Sequence, residues 1–521
     1  MLNLSAVVET NSRMYPDRTA IIAGDVRLSH RELNEASSQV ASGLQAAGIC
    51  KGDRVAMSCG TNAHFPICYY GVLKAGGVVV ALNTLLKKRD IADQLKSCDA
   101  TAYICDEGTE QLPISREGWG AFQEADACRH FWMIPNGAGG QLPGHGARWW
   151  SELVESRSAS FDTVQTDGED PCGIVFTSGT TGYAKGAELS HSNYVLNCQT
   201  VRDVLGYCPD DVVIVAAPLY NVLGQTLLMG AGLTGGATLM LLPRFESGAV
   251  LQAMQDHGGT VMGGVPTMFR ALLHHPQLES FDLDTIRRTW RVGLCGGAPV
   301  PPELLSEVER VFHAQMIVGY GLSETTAGAC FTRRGMKRKP GSIGVPLWGV
   351  EMRIVNDDMH EVKTGDPGEV VIRGHNVMKG YYRNDVANVE AFRGGWLHTG
   401  DIGKADEDGH FYILDRKKDM IIRGGRKVFP NEVERVILTH PDVAMTAVIG
   451  IPDEVLGEEI RAYVVPRAGA NVCSESLISW CKEQMAAHVY PRSVVLTDAL
   501  PLGPTGKILK EQIRVLDASR H

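Results

Sequence analysis

At 521 residues the chain exceeds one ordinary domain and is long enough to bury a sizeable core. Hydrophobic content of 44% and charged content of 21% are those of a soluble globular protein. A formal net charge of −10 argues against a nucleic-acid binder or a basic membrane-surface protein, so any bound nucleotide must be met by local positive charge.

Thirteen cysteines are scattered singly from Cys50 to Cys481 with no C-x-x-C pair. That pattern reads as reduced, buried thiols in a cytoplasmic protein, not as a disulfide framework or a zinc site. The first residues, MLNLSAVVETNSRMYPDR, have no basic flank followed by an apolar core, so no signal peptide is expected.

Taken in order, Ser29 to Leu44 predicts a capped amphipathic helix, with Ser29 as cap and Glu32 three residues later. Asp53 to Met57 predicts a strand, Phe65 to Ala75 a helix, and Gly77 to Leu82 an apolar strand. Strands alternating with helices imply an α/β sheet with crossover connections. Glu110 to Val154 is expected to be irregular surface. Tyr194, Cys198, Val201 and Leu205 form a helical core stripe. Strands at Val212–Ala217, Thr260–Val265 and Arg291–Cys295 each run into a Gly or Pro turn, which gathers loops at one sheet edge. Pro218 to Leu242 is nearly long enough to span a bilayer, but Asn221, Gln225 and the Gly235–Gly236 break favour a buried helix-turn-strand.

From Gly349 the pattern changes to β hairpins, with Asp406–Gly409 a strong hairpin signal. Beyond Asp415–Asp419 lies a compact α+β segment: helices at Pro430–Leu438 and Ser476–Ala487, strands at Ala444–Gly450, Ile460–Pro466 and Ser493–Thr497. The expectation is a large N-terminal α/β domain with a β-rich subdomain over residues 1–416, and a small α+β domain over 417–521.

The stretch with the most chemistry is Ile174 to Asn193, IVFTSGTTGYAKGAELSHSN. An apolar strand enters a loop holding Thr177, Ser178, Gly179, Thr180, Thr181 and Lys185. Glycines let backbone N–H groups approach an anion, hydroxyls add donors and the lysine adds charge, as a polyphosphate cradle requires. The Walker pattern is not met, because Gly186 rather than Ser or Thr follows Lys185.

This string resembles the phosphate loop of the adenylate-forming superfamily of acyl-CoA and aryl-CoA synthetases, peptide-synthetase adenylation domains and luciferases. Other strings resemble that family in the same order along nearly the whole chain. Alone, Gly296, Gly297, Ala298 and Pro299 are a tight turn; they are similar to the family's loop beside the adenine. In Ile317–Thr326, IVGYGLSETT, Tyr320 lies between Gly319 and Gly321 and is followed by Ser323 and Glu324. The resemblance makes Tyr320 an adenine-stacking ring and Glu324, with Thr177, a candidate holder of Mg²⁺. Asp401 in WLHTGD resembles the ribose-binding aspartate, and Arg416 the arginine that contacts ribose and phosphate. Lys418 falls at the hinge about which the family's mobile C-terminal domain turns. Gly424 and Gly425 resemble the loop by the pantetheine tunnel, and Lys507 in PLGPTGKILK the C-terminal catalytic lysine.

The resemblance implies an acid–thiol ligase that uses ATP, Mg²⁺ and CoA. The acyl pocket is expected among Tyr220, Asn221, Gly224, Gly296, Thr325 and Thr326. No Lys or Arg falls in these strings, which favours an apolar monocarboxylate, fatty more than aryl. Asn221 stands where many relatives carry His, and an aspartate for an α-amino group is missing from the local string. His488–Val489–Tyr490–Pro491 replaces a more usual Tyr-Lys pairing, so one CoA-facing charge is absent. Val350–Asp366 holds no insertion of the kind that marks fatty acyl-AMP ligases. The alternatives are an aryl-CoA ligase or a stand-alone enzyme loading a separate carrier protein. A non-catalytic adenylate binder is disfavoured by Lys507 and Glu324. Oligomeric state is left open, a homodimer included.

Overall fold

Short runs of Val, Ile, Ala and Met without polar alternation leave neither face to water, so they form strands of sheets covered on both sides. The computed structural model describes residues 2–137, 140–177, 184–470, 472–502 and 508–519. The chain divides into two compact units.

The first unit comprises Met1–Met352 and Ile372–Leu397 and holds two such sheets. One has nine strands, with six parallel at its centre in the order Gln315–Tyr320, Val292–Gly296, Val261–Gly264, Val212–Val215, Thr238–Leu241 and Thr19–Ala23. The other has eight, in the order Gly380–Tyr381, Lys185–Ser190, Pro171–Thr177, Val78–Ala81, Arg54–Ser58, Ala100–Asp106, His130–Ile134 and Arg148–Trp149. Helix His30–Ala46 packs on the first sheet and on helix His64–Lys74, which packs on the second. The expected cap of that first helix is complete: Ser29 accepts from the Glu32 N–H while Glu32 accepts from the Ser29 N–H.

Residues 110–154 differ from the expectation of irregular surface. Ile114–Phe122 is a helix and His130–Ile134 a strand, with Phe131 and Trp132 buried. The cause is aromatic packing across sequence distance: Tyr103 and Trp119 meet Phe131 edge-on at centroid distances of 5.4 and 5.2 Å. The helix-turn-strand expected over Pro218–Leu242 is present, but its first part, Leu223–Gly230, is a π-helix. No described helix is long and apolar enough to cross a membrane.

The second unit comprises Arg353–Val371 and His398–His521, so it takes in chain ahead of residue 417. One of its sheets runs Val350–Val355, Gly368–Gly374, Leu397–Ala405, Phe411–Arg416. The Asp406–Gly409 turn closes its last hairpin, and Asp406 accepts from the Asp408 and His410 N–H groups. The other sheet pairs Val443–Asp453 with Gly457–Pro466 and adds Ile421–Arg423, Arg426–Val428 and Ser493–Leu496. Helices Pro430–Ile437 and Ser474–Gln484 cover a core of Val433, Ile437, Val448, Ile460, Val464 and Leu477.

Candidate functional site

Strands Pro171–Thr177 and Lys185–Ser190 pair antiparallel, with Thr177 opposite Lys185. The Thr177 hydroxyl donates to the Lys185 carbonyl at 3.4 Å. Ser178, Gly179, Thr180 and Thr181 lie outside the described residues.

In the nine-stranded sheet, Val292–Gly296 and Gln315–Tyr320 are parallel neighbours with Gly296 opposite Gly319. Gly297, Ala298 and Pro299 leave one strand at the edge where Tyr320 and Gly321 leave the other. Such an edge, outside the carboxyl ends of parallel strands, is where α/β sheets take ligands. Tyr320 is half-buried there.

The chain then makes a short 3₁₀ turn, Ser323–Thr325, that carries Glu324. Thr326 and Ala327 follow with φ of 51° and 74°, a left-handed pair of non-glycine residues. Such a conformation persists only where the surroundings enforce it. Three asparagines do so. Buried Asn197 donates to the carbonyls of Thr325, Thr326 and Gly328, and Asn376 donates to Gly328 as well. Asn193 donates to the carbonyls of His375 and Val377 and so fixes the segment that holds Asn376. Thr325 and Thr326, both expected at the acyl pocket, are fully buried. The Thr325 hydroxyl accepts from the Leu322 N–H and the Thr326 hydroxyl donates to the Asn376 carbonyl, so both groups serve the loop itself.

Glu324 Oε1 accepts from the Tyr381 phenol at 2.8 Å, and its Oε2 takes no hydrogen bond from a described residue. Tyr381 belongs to the edge strand that pairs with Lys185–Ser190, so the two sheets meet at Glu324. Among the described residues no group of three His, Cys, Asp or Glu side chains could hold a metal. Glu324 offers one carboxylate with an oxygen not engaged by Tyr381, and a Mg²⁺ carried by a nucleotide needs only one or two carboxylates beside phosphate and water.

Tyr220 and Asn221 are half-buried at the same edge, ahead of the π-helix, and burial pushes the Tyr220 phenol up. Tyr194 donates to Gln225 Oε1 and Gln225 donates to the Tyr220 carbonyl, which holds this segment in place. Gly224 is required here: a Cβ on it would lie 2.4 Å from the Pro218 carbonyl oxygen. Ten of the thirteen free cysteines are buried, and burial pushes the thiols of Cys68, Cys98, Cys128 and Cys198 up to about 12. Thiols held protonated this firmly are poor nucleophiles.

In the second unit, Asp401 and Arg416 face each other across paired strands, with Arg416 Nε 2.9 Å from Asp401 Oδ1. Asp401 is 4% exposed. Lys418 is exposed in the turn that leaves this strand. Gly424 and Gly425, with φ of +55° and +75°, form the two-residue turn between Ile421–Arg423 and Arg426–Val428. Positive φ at both positions is the turn that matches strand twist. Lys507 lies outside the described residues. The chain on either side of residues 503–507 is paired, Leu502 with Ile508, and Leu509 donates to the Pro501 carbonyl. Lys510 is anchored by an ion pair to Glu434 at 2.7 Å.

Sequence reading missed Tyr381, Asn197 and Asn376. Their partners lie 57, 128–131 and 48 residues away, and no local spacing signals them.

Comparison with known proteins agrees with this geometry. The family model described as AMP-binding enzyme matches residues 8–382, and that of the AMP-binding enzyme C-terminal domain matches residues 432–507. A feruloyl-CoA synthase of Amycolatopsis sp is 35% identical over 505 residues, covering 96% of each chain. A long-chain-fatty-acid–CoA ligase of Yersinia pestis is 32% identical, covering 98% of this chain and 94% of its own. The crystal structure of ATP-bound MatB from Rhodopseudomonas palustris superposes with a TM-score of 0.88 at 30% identity, covering 99% of both chains. The chain belongs to the AMP-binding enzyme family, within the adenylate-forming superfamily, and is an acid–thiol ligase.

Proposed function

We propose that this AMP-forming CoA ligase activates an apolar monocarboxylate in two half-reactions. The observation that carries the reading is the meeting of the Thr177–Lys185 hairpin end with the Glu324 turn, from two different sheets. Thr177, Lys185 and a carboxylate suited to a cation are thereby brought together near the loop Gly297–Pro299 and Tyr320.

In the first half-reaction a carboxylate oxygen attacks the α-phosphorus of ATP, and the bond to pyrophosphate breaks. The loop Thr177–Lys185 grips the departing phosphates. Glu324 and the Thr177 hydroxyl would hold Mg²⁺, which when bound would neutralise phosphate charge. Tyr320 stacks on the adenine, with Gly319, Gly321 and Ser323 shaping the turn around it. Asp401 accepts from the ribose hydroxyls and Arg416 orients it. Lys507 stabilises the charge that develops as acid and α-phosphate meet. In the second half-reaction residues 417–521 turn about Lys418 and withdraw Lys507. The Gly424–Gly425 turn then admits the pantetheine arm, whose sulfur attacks the acyl carbonyl and releases AMP. A free thiol has a pKa of about 8.5, so the site must favour its deprotonation.

The absence of Lys and Arg from the strings around Tyr220, Asn221, Gly224 and Gly296 supports an apolar acid, fatty in the first instance. A second reading, an aryl or arylpropenoic acid, is favoured by the 35% identical feruloyl-CoA synthase. The test is a panel of fatty, aryl, dicarboxylic and amino acids scored for AMP release with and without CoA. Turnover of fatty or aryl monocarboxylates only with CoA is expected. Preference for a dicarboxylate, or CoA-independent transfer to a carrier protein, would overturn it.

A further inference from the structure

Tyr381 has been given no part in the chemistry, yet it touches two groups that have one. Its phenol donates to Glu324 Oε1 at 2.8 Å, and its ring centroid lies 5.2 Å from Lys185 Nζ. The backbone leaves it little freedom. Tyr381 pairs with Ala187 on the strand that follows the glycine-rich loop, and Gly380 pairs with Glu188. The Tyr382 N–H donates to the Gly186 carbonyl, and Asn388 clamps both the N–H and the carbonyl of Tyr381. The Met378 N–H donates to the Glu324 carbonyl, so the segment ahead of Tyr381 holds the turn that carries the carboxylate.

From this geometry we infer that Tyr381 is a positioning residue for the metal-holding carboxylate and the loop lysine together. The inference rests on the ligase reading above. A carboxylate on a short surface turn samples rotamers, and a phenol donating to one oxygen fixes the plane of the group. With Oε1 so engaged, Oε2, which takes no hydrogen bond from a described residue, is the oxygen left to serve a cation. Partners of this kind typically change metal affinity 10- to 100-fold when removed. The ring face serves a second purpose. A lysine ammonium over an aromatic face is attracted by its quadrupole, so the same side chain keeps Lys185 at the mouth of the hairpin.

Two substitutions separate the roles. Tyr381→Phe removes the hydroxyl and keeps the ring, whereas Tyr381→Leu removes both. Mn²⁺ is titrated into the full-length enzyme with α,β-methylene-ATP, which cannot be cleaved at the reacting bond, and free Mn²⁺ is read by electron paramagnetic resonance. Tyr381→Phe is expected to raise the Mn²⁺ dissociation constant about tenfold with analogue affinity unchanged. Tyr381→Leu is expected to weaken the analogue as well. In a Glu324→Gln background, Tyr381→Phe is expected to add nothing, because the phenol acts through that carboxylate. Thioester formation from supplied acyl-AMP is expected to be unchanged in Tyr381→Phe. Wild-type Mn²⁺ affinity in Tyr381→Phe, or a full additional loss on Glu324→Gln, overturns the inference. Failure of the ligase reading is a separate result: no carboxylate then yields AMP with the wild-type enzyme.

Discussion

Asp401 and Arg416 are opposed across two strands, and their pairing holds the carboxylate orientated within a nearly buried position. In the proposed reaction that carboxylate receives the ribose hydroxyls, so Asp401→Asn removes the charge behind those hydrogen bonds and the charge that pairs with Arg416. A charge-assisted hydrogen bond contributes about 1.5–3 kcal/mol, so KM for ATP should rise about tenfold or more. ATP–pyrophosphate exchange, run at varied ATP and at varied acid, reads the change as confined to the nucleotide. Asp106 carries a different kind of prediction. Burial raises its carboxyl to about 6, against the pull of hydrogen bonds from the Gly60 N–H and Asn62. A folded pKa above the unfolded one means the folded state holds the proton more tightly. The stability this gives is fully present below about pH 4 and is lost as pH rises through about 6. Asp106→Asn should therefore stabilise the protein relative to wild type more at pH 7.5 than at pH 5, by about 1–3 kcal/mol at the higher pH. Urea midpoints at the two pH values check this.

Among the elements, capped helices and charged hairpin turns were legible because their signals are local. Ser29 and Glu32, or Asp406 and Gly409, act over three or four residues, and the folded geometry matches. The strand His130–Ile134 was not legible, because what buries it are Tyr103 and Trp119 from elsewhere in the chain. The π-helix Leu223–Gly230 was not legible either, since its apolar pattern suits an ordinary helix. Two of the candidate glycines make contrasting predictions. Gly224→Ala would force a methyl to within 2.4 Å of a backbone oxygen, so the start of the π-helix must shift. Destabilisation of about 1–3 kcal/mol and loss of adenylation are expected from denaturation midpoints and pyrophosphate exchange. Gly425→Ala meets open space, and only its left-handed backbone opposes the change. It should cost about 1 kcal/mol and leave adenylation intact.

At the scale of the whole molecule, two units with separate cores imply that unfolding is not one transition. Calorimetry should give a calorimetric enthalpy above the van't Hoff value. The two half-reactions should separate likewise. Lys507→Ala is expected to abolish acyl-AMP formation and to spare thioester formation from supplied acyl-AMP. Equal loss of both would sink the role given to Lys507.

The sequence by itself carried the resemblance to the family and the order of its motifs, because each motif is a local string whose glycines, hydroxyls and lysine are near neighbours in the chain. It also determined where several strands end, since a strand running into Gly or Pro must turn there. Only the tertiary structure decided how Glu324 is held. The asparagines behind its loop and the phenol before it come from segments far along the chain, and close packing of two sheets brings them together. Hydrogen bonds of that kind leave no periodicity or spacing to read, because their partners are set by the fold.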